Sequence, residues 1–290
     1  MKSFDYVAPR TIKEVVSVLR RYGHRAKILA GGTDLLVKMK GRMLTPDVVV
    51  DIKRVPGLDE IKFDRKSGLT IGACVTMRQV EVSPVVRAHY PGLAQGAEIV
   101  GSVQIRNRAT LVGNLCNSSP SADVAPGFMV LGARLRIAGP ARARAVPIEK
   151  FFAGPGKNVL KTGEWVTHVK VPPPPSRTGS AYVRHTTREA MDIAVAGVAA
   201  LVTFARRNGI CSDVRIALAA VAPTPIRARR AEGLLKGRKL TQSLIEEAAT
   251  AASEEARPMT DQRGSAEFRR ELTKVLTRRM IVQACKAAQS

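Results

Sequence analysis

"AKILAGGTDLL", residues 26–36, decides how the first part of this chain is read. Its apolar run ends abruptly in Gly31-Gly32, and Thr33, Asp34 and a new apolar run beginning at Leu35 follow. The run before the glycines reads as a buried strand, and the glycines as the turn that closes it. Upstream, "TIKEVVSVLRRYG" places Ile12, Val15, Val16 and Leu19 at helical spacing, with Thr11 as N-cap and Gly23 as stop. Downstream, "TPDVVVDI" at 45–52 is a second, β-branched strand. These fifty residues form a helix–strand–turn–strand unit, and a helix between strands predicts locally parallel pairing.

Further along, short alternating stretches predict a second sheet, with "GLTIGA" as one strand after a Ser-Gly turn and "ARLRIAG" and "EWVTHVKVP" as others. "VVRAHYPGLAQGAEIV" reads as helical in parts. Four consecutive prolines in "PPPPS", 172–176, can enter neither a helix nor a central strand. They form a stiff linker and the natural domain boundary. Beyond it, "AYVRHTTREAMDIAVAGVAALVTFARRNG" and "CSDVRIALAAVAP" read as strands joined by a charged turn, with "MDIAVAGVAALVTF" a buried strand. "IEEAATAASEEA" and "EFRRELTKVLTRRMIVQAC" are two helices, the second with Phe268, Leu272, Val275, Leu276 and Ile281 on its inner face. The expected organisation is two lobes, about 1–55 and 56–176, followed by an α+β domain over 177–290 in which strands precede helices.

Composition narrows the function classes. With 45% hydrophobic residues over 290 positions the chain can bury a large core, and 4% aromatics leave Val, Ala, Leu and Ile to build it. No run of about 18 apolar residues occurs, so no membrane span is expected. The N-terminus has no signal-peptide character, which points to the cytoplasm. Cysteines 74, 116, 211 and 285 lie far apart, and no spacing suits structural zinc or an iron–sulfur cluster. The anomaly is charge: 47 Lys plus Arg against 24 Asp plus Glu, a net +23. The basic residues are dispersed in short groups such as "ARAR" at 141–144, the pair at 206–207 and "RARR" at 227–230. That pattern fits a solvated basic surface facing an acidic partner, or a nucleic-acid groove.

The second informative stretch is "RNRATLVGNLCNSSPSADVAP", 106–126. It crowds together Thr110, Gly113, Asn114, Asn117, Ser118, Ser119, Ser121 and Asp123. Both stretches ask for the same ligand. Glycines let the main chain approach a pyrophosphate closely, and consecutive N–H groups in a tight turn make an anion nest. Thr33, Thr110 and Ser119 offer hydroxyl donors to phosphate, whereas an ionised Asp123, acceptor-only, suits a ribose diol. A nucleotide carrying phosphates and ribose meets all of these roles. Taken alone, Gly-Gly-Thr-Asp is more often a plain turn, because Gly and Asp are default turn residues. Neither a G-x-G-x-x-G fingerprint nor a phosphate-binding G-x-x-x-x-G-K-[ST] is present.

"ILAGGTDLL", "IRNRATLVGNLCNSSPSADVAP", "AYVRHTTREAMDIAVAGVAA" and "APTPIRARRAE", in this order and at these intervals, resemble the FAD-binding medium subunit of the molybdenum hydroxylases, the family of carbon monoxide dehydrogenase flavoprotein and the xanthine dehydrogenase flavin domain. The resemblance covers essentially the whole chain. It implies a p-cresol-methylhydroxylase-type two-lobed FAD-binding domain followed by an α+β C-terminal domain of a small antiparallel sheet plus helices. It also implies that Leu29, Ala30, Gly31, Gly32, Thr33, Asp34 and Leu35 wrap one side of the FAD pyrophosphate, and Thr110 to Asn114, with Gly113 and Ser119, the other. Asp123 would hold the adenosine ribose, Val100 and Val166 would line the pocket, and Arg184 falls where several relatives carry a Lys near the flavin. Two departures stand out. Val112 replaces the first glycine of the family's T-[IL]-G-G-N, and Arg184 exchanges a point ammonium for a planar fork.

By the same resemblance, the molybdenum-pterin and two [2Fe-2S] clusters belong to a large and a small partner subunit, arranged as a dimer of heterotrimers. No catalytic residue and no metal ligand is expected in this chain; its part is to carry FAD, take electrons from the clusters and pass them to an external acceptor. Arg106 and Arg108 precede the second loop and face either phosphate, a partner or solvent. Trp165 and Tyr182 read as core or interface aromatics. Two alternatives belong to other classes: a self-contained flavin oxidoreductase with its own small substrate, and a basic nucleic-acid-binding protein without a cofactor, supported by the charge alone.

Overall fold

The computed structural model describes residues 1–205 and 209–289; the basic pair at 206–207 lies outside them. The chain begins with β1 (Asp5–Val7), α1 (Ile12–Tyr22), β2 (Ala26–Leu29), α2 (Leu35–Lys40) and β3 (Val48–Asp51). These strands form a parallel sheet in the order β1-β3-β2, as the helix between strands predicts. Thr11 caps α1, its hydroxyl accepting from the Glu14 N–H at 3.2 Å, and Gly23 ends it at φ +54°. The central strand β3 is buried throughout, but β2 is an edge strand in which only Ala26 is buried. The expectation of a buried strand at 26–30 is corrected accordingly, because β2 has a pairing partner on one side alone. A helix not foreseen, α2, returns the chain from the glycine pair to β3.

The second lobe runs β4 (Ile61–Asp64), β5 (Gly68–Gly72), α3 (Met77–Val82), α4 (Pro84–His89), α5 (Pro91–Glu98), α6 (Val103–Arg106), α7 (Leu111–Asn117), α8 (Val124–Val130), β6 (Arg134–Ala138), β7 (Arg144–Pro147), β8 (Phe152–Gly154), β9 (Lys157–Asn158) and β10 (Trp165–Val171). Its antiparallel sheet has the order β4-β5-β10-β6-β7, so β10 inserts between β5 and β6 and closes the sheet. Trp165 fills the core beneath it.

After the prolines come β11 (Thr178–His185), β12 (Ala196–Phe204), β13 (Cys211–Ala219), β14 (Ile226–Arg227), α9 (Arg229–Leu235), α10 (Gln242–Glu255) and α11 (Ala266–Gln289). The four strands form an antiparallel meander. All nine residues of β12 are buried, because α11 covers one face of the sheet and α8 reaches the other. β12 begins later than the apolar pattern suggests: Met191 and Ile193 are exposed, and Asp192 accepts from the Thr187 and Arg188 N–H groups to shape the preceding turn.

The inner face of α11 is Leu276, Met280, Ile281, Ala284 and Ala288, at helical spacing. Phe268, expected on that face, is 45% exposed and meets the His185 ring edge-on. Its neighbour Arg269 points inward instead, donating to the Val195 and Ala220 carbonyls at 2.8 and 3.0 Å and to Asp261 at 2.7 Å. The basic residues are therefore not all a solvated face: Arg106, Arg184, Arg227 and Arg269 have buried side chains paired with carboxylates. Among the described residues no helix is long and apolar enough to cross a membrane.

One glycine of this domain offers a clean stability test. Gly233 is exposed in the interior of α9, and a Cβ there would meet no atom within 4 Å. Gly233→Ala is expected to stabilise by about 1 kcal/mol through helix propensity, read as a rise of roughly 2 °C in thermal melting.

Candidate functional site: two interlocked backbone loops

The glycine pair lies in the loop between β2 and α2. Gly32 has φ +79°, a conformation L side chains rarely adopt, and its carbonyl accepts from the Leu36 N–H at 2.9 Å to open α2. Gly31 has a different task. A Cβ on it would stand 2.2 Å from the carbonyl oxygen of Arg108 and 2.9 Å from the Ala109 Cα. The first loop is thus pressed against the backbone of the second, and only hydrogen fits between them.

Side chains tie the same two segments. Lys38 Nζ donates to Asn117 Oδ1 at 2.7 Å, and Asn117 Nδ2 donates to Asp34 Oδ1 at 3.2 Å. From behind, Ile52 N–H donates to the Leu29 carbonyl at 3.2 Å. Lys53 pairs with Asp51 at 2.7 Å, and Tyr6 donates to the same carboxylate at 2.5 Å. Burial raises the Asp51 carboxyl, but these hydrogen bonds outweigh it and hold the group below its ordinary value.

In the second loop, Thr110 caps α7: its Oγ1 accepts from the Gly113 N–H at 3.1 Å. Asn114 follows on the next turn, and its Oδ1 is buried without a hydrogen-bond partner. Buried amide oxygens are nearly always satisfied, so this atom awaits a donor that the described residues do not supply. Ser119 is half-buried, its Oγ accepting from the Ser121 N–H at 3.2 Å. Val112 is 3% exposed, its side chain in the core.

Other sequence-predicted residues lie elsewhere. Asp123, at the start of α8, is buried, with Tyr182 OH at 3.0 Å on one oxygen and Arg184 Nη1 at 2.5 Å on the other. Burial pushes its carboxyl up to about 6, against the pull of the Arg184 guanidinium and the Tyr182 hydroxyl. Two further bonds seat β11 on the second lobe: Ser180 Oγ accepts from the Gly92 N–H at 3.3 Å, and Gln95 Oε1 from the Tyr182 N–H at 2.8 Å. Val166 is packed in the main core at a bulge of β10. Val100 is half-exposed, its carbonyl accepting from Arg106 at 3.2 Å. Arg106 faces neither phosphate nor a partner surface: its Nε donates to Glu81 Oε2 at 2.8 Å inside the fold, where a cation needs its counter-ion. Arg108 is exposed, with no side-chain hydrogen bond or ion pair among the described residues.

The structure thus brings residues 29–35 together with 108–117, and gathers Asp123, Tyr182 and Arg184 into a separate buried cluster. Sequence reasoning missed the Lys38–Asn117 tie. Asn117 stood within the crowded polar stretch, but nothing in the local pattern singled out Lys38. Among the described residues no group of three or more His, Cys, Asp and Glu is arranged to hold a metal ion.

A parallel α/β lobe set against an antiparallel lobe, with backbone loops interlocked and a buried amide oxygen left unsatisfied, is a two-lobed α+β fold with a cradle suited to a phosphate-bearing ligand. The family described as the FAD binding domain in molybdopterin dehydrogenase matches residues 2–174, and the CO dehydrogenase flavoprotein C-terminal domain matches residues 181–284. The chain is 34% identical over 285 residues to the xanthine dehydrogenase FAD-binding subunit of Escherichia coli O157:H7, covering 98% of this chain and 97% of that one. It is 34% identical over 278 residues to the carbon monoxide dehydrogenase medium chain of Hydrogenophaga pseudoflava, covering 96% of each. Its fold superposes on reconstituted CO dehydrogenase from Oligotropha carboxidovorans with a TM-score of 0.93 at 31% identity, covering 99% of both chains. The chain belongs to the family of FAD-binding medium subunits of the molybdenum hydroxylases and is an oxidoreductase subunit.

Proposed function

We propose that this chain is the electron-transfer flavoprotein subunit of a cytoplasmic molybdenum hydroxylase, taking electrons from [2Fe-2S] clusters of a small partner subunit and passing them to an external acceptor. Substrate hydroxylation belongs to a large molybdenum-pterin subunit, and the whole is a dimer of heterotrimers. Bound FAD supplies the interconversion of one- and two-electron transfers. The chain's own residues bind it, orient it and shield it. The observation that carries this reading is the interlock of the two loops beside the unpartnered Asn114 Oδ1.

In this reading Leu29 to Leu35 flank one side of the pyrophosphate, and Thr110 to Asn114 with Ser119 the other. Glycine Cα atoms permit the backbone approach, and the exposed Arg108 contributes a cation at the rim. Asp123 and Arg184 neutralise each other, so they act on the cofactor as one polar wall and not as a separate ribose acceptor and flavin cation. Val100 and Val166 stiffen the surroundings. The prolines at 172–175 divide the FAD-binding part, with lobes of about 1–55 and 56–176, from the C-terminal domain at 177–290.

The visible spectrum of the purified chain, alone and with co-purifying subunits, tests this. Flavin bands, FAD released by heat at about one per chain, and iron–sulfur absorbance confined to the co-purified sample are expected. A folded chain that stays colourless with added FAD would sink the proposal. Reduction of the flavin in the isolated chain by a small organic substrate would establish the self-contained oxidoreductase instead.

A further inference from the structure

We propose that the groove between α10 and α11 docks a carboxylate-rich segment of a partner subunit in the assembled oxidoreductase. A cavity of about 740 Å³ opens between the first turn of α10 and the last turns of α11. Arg278, Arg279 and Lys286 line it over an aliphatic floor of Ile245 and Val282, with two glutamines and no carboxylate. Arg278 is shared with Glu246 at 3.4 Å. Arg279 and Lys286, both exposed, have no side-chain hydrogen bond or ion pair among the described residues. Val282 is 39% exposed, although it sits on a helix whose other aliphatic side chains are largely covered.

The unpaired Arg279 and Lys286, beside an Arg278 only partly offset by Glu246, repel one another, and arriving carboxylates remove that repulsion. The aliphatic floor gives the same segment a place to bury an apolar side chain, the combination a specific interface uses. Charge selects among occupants. A second copy carries the same net +23 and brings no compensating excess of carboxylates. Single-stranded nucleic acid is held by aromatic stacking platforms, and no aromatic lines this groove. An acidic polypeptide satisfies both the cations and the floor. The inference rests on the reading of the chain as one subunit of a complex. The groove is built on helices of the C-terminal domain, and the backbone loops of the cradle belong to the first two lobes, so the two are separable by mutation.

The test places a photo-crosslinking amino acid at position 282 of the full chain, purified with its co-assembling subunits. Crosslinks are expected to an Asp- and Glu-rich segment of one co-purifying subunit. The double variant R279E/K286E is expected to cut their yield about tenfold with FAD content unchanged, and Lys substitutions at the crosslinked carboxylates to restore it. Crosslinks confined to a second copy or to nucleic acid, or none while the subunits still co-purify, overturn the docking alone. A flavin-loaded chain that co-purifies with no other subunit overturns both the docking and the complex.

Discussion

Gly31→Ala is expected to strip FAD from the chain while leaving it folded. Gly31 does not need a positive φ, so the effect is purely steric. The added Cβ would lie 2.2 Å from the Arg108 carbonyl, a backbone atom that cannot rotate away. Relief requires the two loops to part, and overpacking of this kind costs roughly 1–3 kcal/mol or more. If that cost falls on the bound geometry, FAD affinity drops about 10- to 100-fold. The measurement is equilibrium titration of the apoprotein with FAD, followed by flavin fluorescence, with circular dichroism to check the fold. Gly154→Ala is the control, since a Cβ there meets nothing within 4 Å, and it should titrate as the parent does. Equal affinity for Gly31→Ala and the parent would show that the loops need not interlock to hold the cofactor.

The second large effect concerns the buried Arg184–Asp123 pair, both side chains under a tenth exposed. Removing one member of such a pair strands the other charge, at a cost of about 3–5 kcal/mol. Arg184→Met strands a carboxylate, which can escape by taking a proton, so the cost depends on pH. In the parent, burial raises the Asp123 carboxyl to about 6. A carboxylate raised on folding binds more protons in the folded state, so its stabilising contribution is present below about pH 4 and lost as pH rises through about 6. Loss of Arg184 removes the opposing pull and carries the window above 6. Arg184→Met is therefore expected to melt near the parent temperature at pH 5 and well below it at pH 8. The double variant D123N/R184M, with no charge left to bury, should recover most of the loss at pH 8. A pH-independent deficit in Arg184→Met, unrelieved in the double variant, would mean that packing and not charge is what Arg184 contributes.

The residues show why some of this was legible in the sequence. α1 was readable because Thr11, the spaced apolar residues and Gly23 all act within one segment. β12 was readable because a strand covered on both faces needs an unbroken apolar run. Its start was not, since Met191 and Ile193 continue the run into a turn that the Asp192 side chain organises. Phe268 was expected inward for a related reason, and its neighbour Arg269 is the one buried. Periodicity places the apolar residue inward, but a guanidinium with two carbonyls and a carboxylate within reach is the better buried neighbour.

By itself, the sequence determined elements such as α1 and β12, the polar crowding of 106–126, the glycine pair and, through their order and spacing, the family. Those properties belong to segments of a few residues, where backbone conformation and side-chain chemistry act without distant help. Tertiary structure alone decided what the glycines and charges are for. Gly31 faces Arg108 across 77 positions of chain, Lys38 reaches Asn117, and Asp123 finds Arg184, and none of these partners is written near the other. Steric contact and charge pairing act through space, so roles that depend on them exist only once the chain has folded.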